Sequence, residues 1–320
     1  MKGTKTFTTF QLTPLLLLSV LNILMASCGS STDKGSPFSF EEKGQGVELF
    51  ENGKAVFFYQ KEPKSLTGAY ICNNYIHPLY TLNGDTITEE FPVDHPYHRG
   101  IFWSWHQLYI NNQSIGDGWI MEEISQEVVE MEFSTTKNSA TLKLNVLWKS
   151  LLLKNEDAFI VENTTIIVHQ LKSGLRRLDF EISLQALVPG VSIGGSDDEK
   201  GYGGLCARIK LPEDLLFTST EGSITPKRLQ VIAGPWMDFS GTFSAGGEQS
   251  GLTIFCHPDT PNYPAPWILR QKSSMQNIVF PGRERVEIAM DQPTILKYSL
   301  IVHAGNADNV DLVKFQLEDQ

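Results

Sequence analysis

Between Asp94 and His106 the chain gathers three of its seven histidines, His95, His98 and His106, with Asp94, Arg99, Trp103 and Trp105. Imidazoles are the side chains best suited to moving protons near neutral pH or to holding a metal. Aromatic faces beside them suit a sugar ring or another flat apolar surface. Two chemistries fit. In one, an imidazole acts as acid and a carboxylate as base. In the other, His95 and His98, three apart, ligate a metal with Asp94, His106 or His257 as further ligands. A divalent metal is thus the one cofactor the pattern admits. A buried core cluster of histidine and aromatics would use the same residue types.

The carboxylate partner has two candidates. Glu181 projects from the polar side of an alternating segment, and Asp238 lies in the glycine-bounded stretch Gly234–Gly241 beside Trp236. A further cluster, His257 to Trp267, is stiffened by four prolines and carries Asn262, with Arg270 close behind. The site expected from these residues has His95, His98, Glu181 and Asp238 as catalytic groups. Arg99, Arg208, Trp236, Asn262, Trp267 and Arg270 are its substrate-binding groups, arginine for hydroxyls or carboxylates and tryptophan for the ring. Segments 92–106, 234–241 and 257–270 are expected to meet at one pocket. The glycine-rich loop from Ile193 to Gly204 is acidic in its middle and lacks the Walker pattern, so it reads as a rim loop and not a phosphate cradle. No Gly-x-Ser-x-Gly elbow, His-Glu-x-x-His, Cys-x-x-Cys or dinucleotide fingerprint occurs.

Strands must position these groups, because the hydrophobic period is two almost everywhere. Ala140, Leu142, Leu144, Val146 and Trp148 alternate with Thr141, Lys143, Asn145 and Lys149. Leu178, Phe180, Ile182, Leu184 and Ala186 alternate in the same way. Other expected strands are 56–60, 101–106, 128–135, 159–169, 205–210, 251–256, 286–290 and 296–302. Turn residues separate them at sandwich spacing. The fold class predicted is all-β: one large antiparallel β-sandwich of supersandwich type, with a short C-terminal helix over 308–317.

The N-terminus has its own reading. Lys2 and Lys5 precede an apolar run that ends in Ala26-Ser27-Cys28, the layout of a secretory signal. It is too short and too early for a spanning helix, and the small residues before Cys28 resemble a bacterial lipobox. This predicts a signal peptide over 1–27, lipidation at Cys28, a tether over 28–40 and a single sandwich domain over 41–320. The protein would then be exported and held to the cell envelope through the lipid alone. A net charge of −11 and the absence of a basic cluster argue against nucleic acid as partner. Cys72, Cys206 and Cys256 remain, which allows at most one disulfide.

Taken in order, several of these stretches resemble one bacterial family. They are His77 to Gly84, Asp94 to Gly100, Gly203 to Arg208, Trp236 to Gly241, and His257 to Trp267 with Arg270. The family is labelled PmoA, or "methane oxygenase PmoA", and is treated as a domain of unknown function. Where its pattern often has a further histidine, this chain has Tyr97. A membrane methane oxygenase subunit would need spanning helices, and no suitable run follows the signal. What the resemblance implies is an exported protein associated with carbohydrate breakdown. The ending Leu296 to His303 is also similar to the last strand of galactose-mutarotase-like supersandwiches. The expected function is an enzyme acting on a carbohydrate or glycoside, of hydrolase, lyase or epimerase type. A non-catalytic carbohydrate-binding lipoprotein on the same sandwich is the alternative.

Overall fold

The structure, a computed structural model, describes residues 1, 3, 31–32, 35–154 and 157–307. Cys28 and the helix expected over 308–317 lie outside the described residues. Among those described there is no α-helix, and none long and apolar enough to cross a membrane.

Alternation decides the architecture. Along Ser139–Ser150 the even positions Ala140, Leu142, Leu144, Val146 and Trp148 are buried, and along Leu175–Ala186 so are Leu178, Phe180, Ile182 and Leu184. A period of two places each set on one face, and antiparallel pairing in register merges those faces into one apolar surface. The larger sheet has ten strands. In spatial order they are Ser31–Thr32, Ile124–Thr135, Ser139–Ser150, Ala158–His169, Leu175–Ala186, Thr294–Ala304, Ser250–Cys256, Trp236–Gly241, Leu216–Ser219 and Gly222–Ser223. The second has eight: Trp267–Ile268, Gln276–Ile278, Gly203–Ala207, Ile101–Trp105, Tyr75–Leu79, Lys54–Gln60, Gly46–Glu51 and Phe38–Lys43. A small third sheet holds Val286–Glu287, Val191–Gly194, Gln107–Ile110 and Gln113–Gly116. Among the described residues every strand pair is antiparallel except Ser31–Thr32 with Ile124–Thr135.

The two large sheets pack face to face over one buried cluster. Trp103 meets Phe180 across the interface at 6.3 Å between ring centroids, and Trp105 meets Trp148 at 5.8 Å. Burying a side chain of this size contributes roughly 2–3 kcal/mol. The large antiparallel sandwich expected from the sequence is therefore what the chain forms. One carboxyl lies inside it. Glu162 accepts from Trp148 Nε1 (2.9 Å), Thr164 Oγ1 (2.7 Å) and Asn74 Nδ2 (3.1 Å), and Tyr59 holds Asn74 from the other side. Burial pushes the Glu162 pKa up, and these hydrogen bonds oppose the shift without cancelling it.

Three stretches differ from the sequence reading. Phe38–Lys43 is an edge strand where a tether was expected to run to residue 40; Phe38 is buried and Phe40 packs on Phe133, ring centroids 4.9 Å apart. Trp236–Gly241 is a strand and not a loop, buried on both faces, so it shows no alternation. The strand expected over 101–106 ends at Trp105, and the chain bends at His106 into the small sheet. Cys72, Cys206 and Cys256 are buried free thiols.

Candidate functional site

The histidine loop is shaped by its prolines and one glycine. Residues 91–98 bulge out between a bridge pairing Glu90 with Arg99 and the Ile101–Trp105 strand. Pro92 and Pro96 restrict the backbone to turns. The His95 N–H donates to the Pro92 carbonyl (3.0 Å), and the His98 N–H donates to the His95 carbonyl (2.9 Å). Gly100 closes the excursion because no side chain fits there: a Cβ would lie 1.9 Å from the Ile76 oxygen. His95 and His98 are thereby stacked, their centroids 4.5 Å apart and their planes 4° from parallel.

Behind this pair lies Arg208, almost fully buried. Its Nε donates to Glu89 (2.9 Å), its Nη2 to Asp94 (3.0 Å) and its Nη1 to His98 Nδ1 (3.3 Å). A guanidinium only donates, so His98 Nδ1 carries no proton and the neutral ring keeps its hydrogen on Nε2. Burial, then the neighbouring His95 and Arg208, push the His98 pKa down to about 2. Arg99, the next residue in the chain, contributes less. Its guanidinium turns inward to the carbonyls of Tyr97 and Trp119 (3.2 Å each) and lies 4.3 Å over the Phe102 ring. His95 Nδ1 pairs with Asp94 Oδ2 at 3.0 Å.

The neutral His98 sets a pH dependence. Below pH 6.5 the unfolded chain takes up a proton that the folded chain refuses until about pH 2, so stability falls as pH falls through that window. Between pH 7 and 5 this removes about 2 kcal/mol. His98→Gln offers Arg208 an amide oxygen and binds no proton. Urea unfolding at the two pH values is expected to show wild type losing about 2 kcal/mol more than the variant. Equal losses would refute the assignment.

His106 belongs to a second group. It stands where the chain leaves the eight-stranded sheet, at the mouth of the hairpin formed by Gln107–Ile110 and Gln113–Gly116. The hairpin turns on Asn111 and Asn112, both with positive φ. Its two ends therefore meet, and His106 Nδ1 donates to Asp117 Oδ2 at 2.7 Å. Asp117 Oδ1 accepts from the N–H of Trp119 (2.8 Å) and of Ile120 (3.2 Å), so the carboxylate cannot swing away. Trp119 stacks on His106 at 4.9 Å and 15°. This fixes the tautomer and leaves His106 Nε2 as the working nitrogen.

Both groups face one cavity of about 740 Å³. His95, Tyr97, His98, His106 and Trp119 form one wall, and Ser196, Asp198, Lys200, Tyr202 and residues 226–228 and 269–274 form the rest. Among the described residues Asp198 is the one carboxylate on that wall. Burial raises its pKa, but Ser196 Oγ (2.7 Å) and the N–H groups of Lys200 (2.9 Å) and Gly201 (3.2 Å) outweigh it and hold it at about 2.

Of the residues singled out in the sequence, His95, His98, His106 and Arg270 line this cavity. Arg99 and Arg208 lie behind it, spent on internal partners. Trp236, Asp238, Asn262 and Trp267 are not on its wall. Trp267 is fully buried and donates to the Gly234 carbonyl (3.1 Å), and Trp236 packs with Phe255 and Ile301 in a separate cluster. Among the described residues the Asn262 side chain reaches the Val279 carbonyl (3.5 Å) and no other partner. Asp238 is fully buried against His303. Glu181 and His257 meet at a second cavity of about 250 Å³ on the outer face of the ten-stranded sheet. There Glu181 lies 3.6 Å from Lys297, and His257 lies 3.6 Å from Asp259. Asp94, His95, His98, His106 and His257 do not converge: no group of three or more His, Cys, Asp or Glu among the described residues is arranged to hold a metal ion.

Sequence reasoning missed Asp117 and Trp119; Lys200 and Tyr202 lie in the Ile193 to Gly204 stretch read as a rim loop, though neither was singled out. One signal for the first two was available: Asn111-Asn112 flanked by Leu108, Ile110 and Ile115 is a hairpin pattern, and a hairpin there sets Asp117 opposite His106.

Comparison with known proteins is sparse. No curated protein matches the chain. The distantly similar solved structures include two carbohydrate-related proteins. A heparinase III gene product is 11% identical with a TM-score of 0.34, covering 87% of this chain, which spans 36% of that chain's length. A galactose 1-epimerase from Lactobacillus acidophilus NCFM is 10% identical with a TM-score of 0.33, covering 84% of this chain and 98% of its own. The sequence itself gives the firmer result: residues 46–315 match one family model, and the chain belongs to the family of unknown function DUF6807.

Proposed function

We propose that the protein is a carbohydrate-active enzyme that works by proton transfer, with His106 as general base. The observation that carries this reading is His106, on the wall of a cavity that also presents Trp119, Tyr97 and Tyr202, with its Nδ1 held from behind by Asp117. A carboxylate on Nδ1 directs basicity to Nε2, the arrangement by which the Ser-His-Asp triad orients its general base. Aromatic faces beside it give a sugar ring its apolar contact, and the stacked His95–His98 pair offers polar hydrogens to hydroxyls. Glycosidases generally need two carboxylates flanking the bond. Here one carboxylate lines the cavity, and it is occupied by three hydrogen bonds. That favours lyase or epimerase chemistry over hydrolysis.

A panel of neutral and acidic oligosaccharides, titrated calorimetrically into the purified protein, tests the reading. Saccharide binding is expected, and Tyr202→Ala should weaken it about tenfold by removing one aromatic face. No binding across the panel, or binding that ignores Tyr202, would overturn it.

A further inference from the structure

We infer that the sugar taken by this cavity is anionic, bearing a carboxylate or a sulfate ester; the inference rests on the carbohydrate reading above. The chain as a whole carries a net charge of −11, so a cationic site on it is a local exception. Lys200, Lys227, Arg228, Arg270 and Lys272 nevertheless all line the cavity, against Asp198 alone on the acidic side. Three separate segments supply them, which no single run of sequence reveals.

These five cations are not equally committed. Lys200 lies 3.5 Å from Asp198, and Arg228 is ion-paired with Glu199 at the outer edge. Arg270 has a positioning role: its Nη1 donates to the carbonyls of Lys227 (2.9 Å) and Leu269 (2.8 Å), and its Nη2 to that of Arg228 (2.9 Å). It thereby straps the 226–228 segment, with the cavity-lining Lys227, to its own. Its guanidinium also lies 5.5 Å over Tyr202. Lys227 and Lys272 are exposed and make no ion pair among the described residues. Two uncommitted ammonium groups on the rim of a concave site focus the field inward and favour a ligand of opposite charge. The pocket beneath them supplies the aromatic faces a sugar ring needs, so the anion is expected on the sugar and not as a free ion.

The test is calorimetric titration of the whole protein with three matched probes: trigalacturonic acid, a sulfated galactotriose and neutral galactotriose. At least one charged probe is expected to bind about tenfold tighter than the neutral one, with the advantage shrinking as salt is raised. The charged probe preferred identifies the anion as carboxylate or sulfate. The double variant Lys227→Ala/Lys272→Ala should lose that advantage and keep its affinity for galactotriose within about twofold. Galactotriose binding as tightly as both charged probes overturns the charge inference and leaves the carbohydrate reading standing. So does a preference that survives in the double variant. Binding of none of the three removes the carbohydrate reading and this inference with it.

Discussion

Replacing His106 by alanine is expected to cut turnover of a saccharide substrate at least about a hundredfold, the scale of one acid–base group, with little change in thermal unfolding. The side chain is part-exposed, and Trp119 keeps its own contacts with Phe102 (5.6 Å) and Tyr202 (5.5 Å), so no large cavity opens in the core. Asp117 acts through His106 and is a positioning residue. Asp117→Asn presents an amide that no longer selects the Nδ1–H tautomer, and it should lower kcat and alter the pH–rate profile while leaving KM near wild type. His106→Gln separates chemistry from packing, because it retains a hydrogen-bonding group of similar length without a basic nitrogen. Undiminished turnover in both His106 variants would sink the assignment.

Asp238→Ala is expected to destabilise the fold by about 3–5 kcal/mol, because it leaves three buried hydrogen-bond donors without their acceptor. Asp238 Oδ1 accepts from His303 Nε2 and from Thr253 Oγ1, each at 2.7 Å, and Oδ2 accepts from Ser240 Oγ at 2.7 Å. Removing the carboxylate strands all three donors. The His303 ring cannot relax toward the sheet, since it rests on Gly251, where even a Cβ would come within 2.2 Å of its Cε1. Urea unfolding measures the loss. A variant that unfolds with wild-type stability yet has lost turnover would instead return Asp238 to the reaction.

The sandwich was legible in the sequence wherever one face of a strand is wet. Ala140 to Lys149 and Leu178 to Ala186 alternate because their outer residues meet solvent, and period two is what such strands write into the chain. Trp236 to Gly241 and Ser250 to Cys256 are covered on both sides, so their residues carry no period and the first of them reads as a loop. Half of the site was legible for a related reason. His95 and His98 are brought together by local turns whose prolines are visible. The Asp117 partner of His106 depends on a hairpin, and the cationic rim depends on three loops converging from distant points of the chain. Spacing along one segment records neither. Glu181 shows the opposite case: its polar face was read correctly as a face, but it is the outer face of the other sheet.

The buried thiols make the molecule its own reporter of local opening. Burial raises the pKa of Cys72 and Cys206 and pushes that of Cys256 up to about 11, so the reactive thiolate hardly exists while each site is closed. A thiol reagent therefore modifies a given sulfur only as fast as its surroundings come apart. The three lie in different places: Cys72 ahead of Tyr75–Leu79, Cys256 at the end of Ser250–Cys256, and Cys206 within Gly203–Ala207. That last strand runs between Ile101–Trp105 and Gln276–Ile278, and the cavity-lining Tyr202 directly precedes it. The labelling rate of Cys206 relative to the other two thus distinguishes a strand beside the cavity that breathes alone from one that yields only when the whole sandwich does.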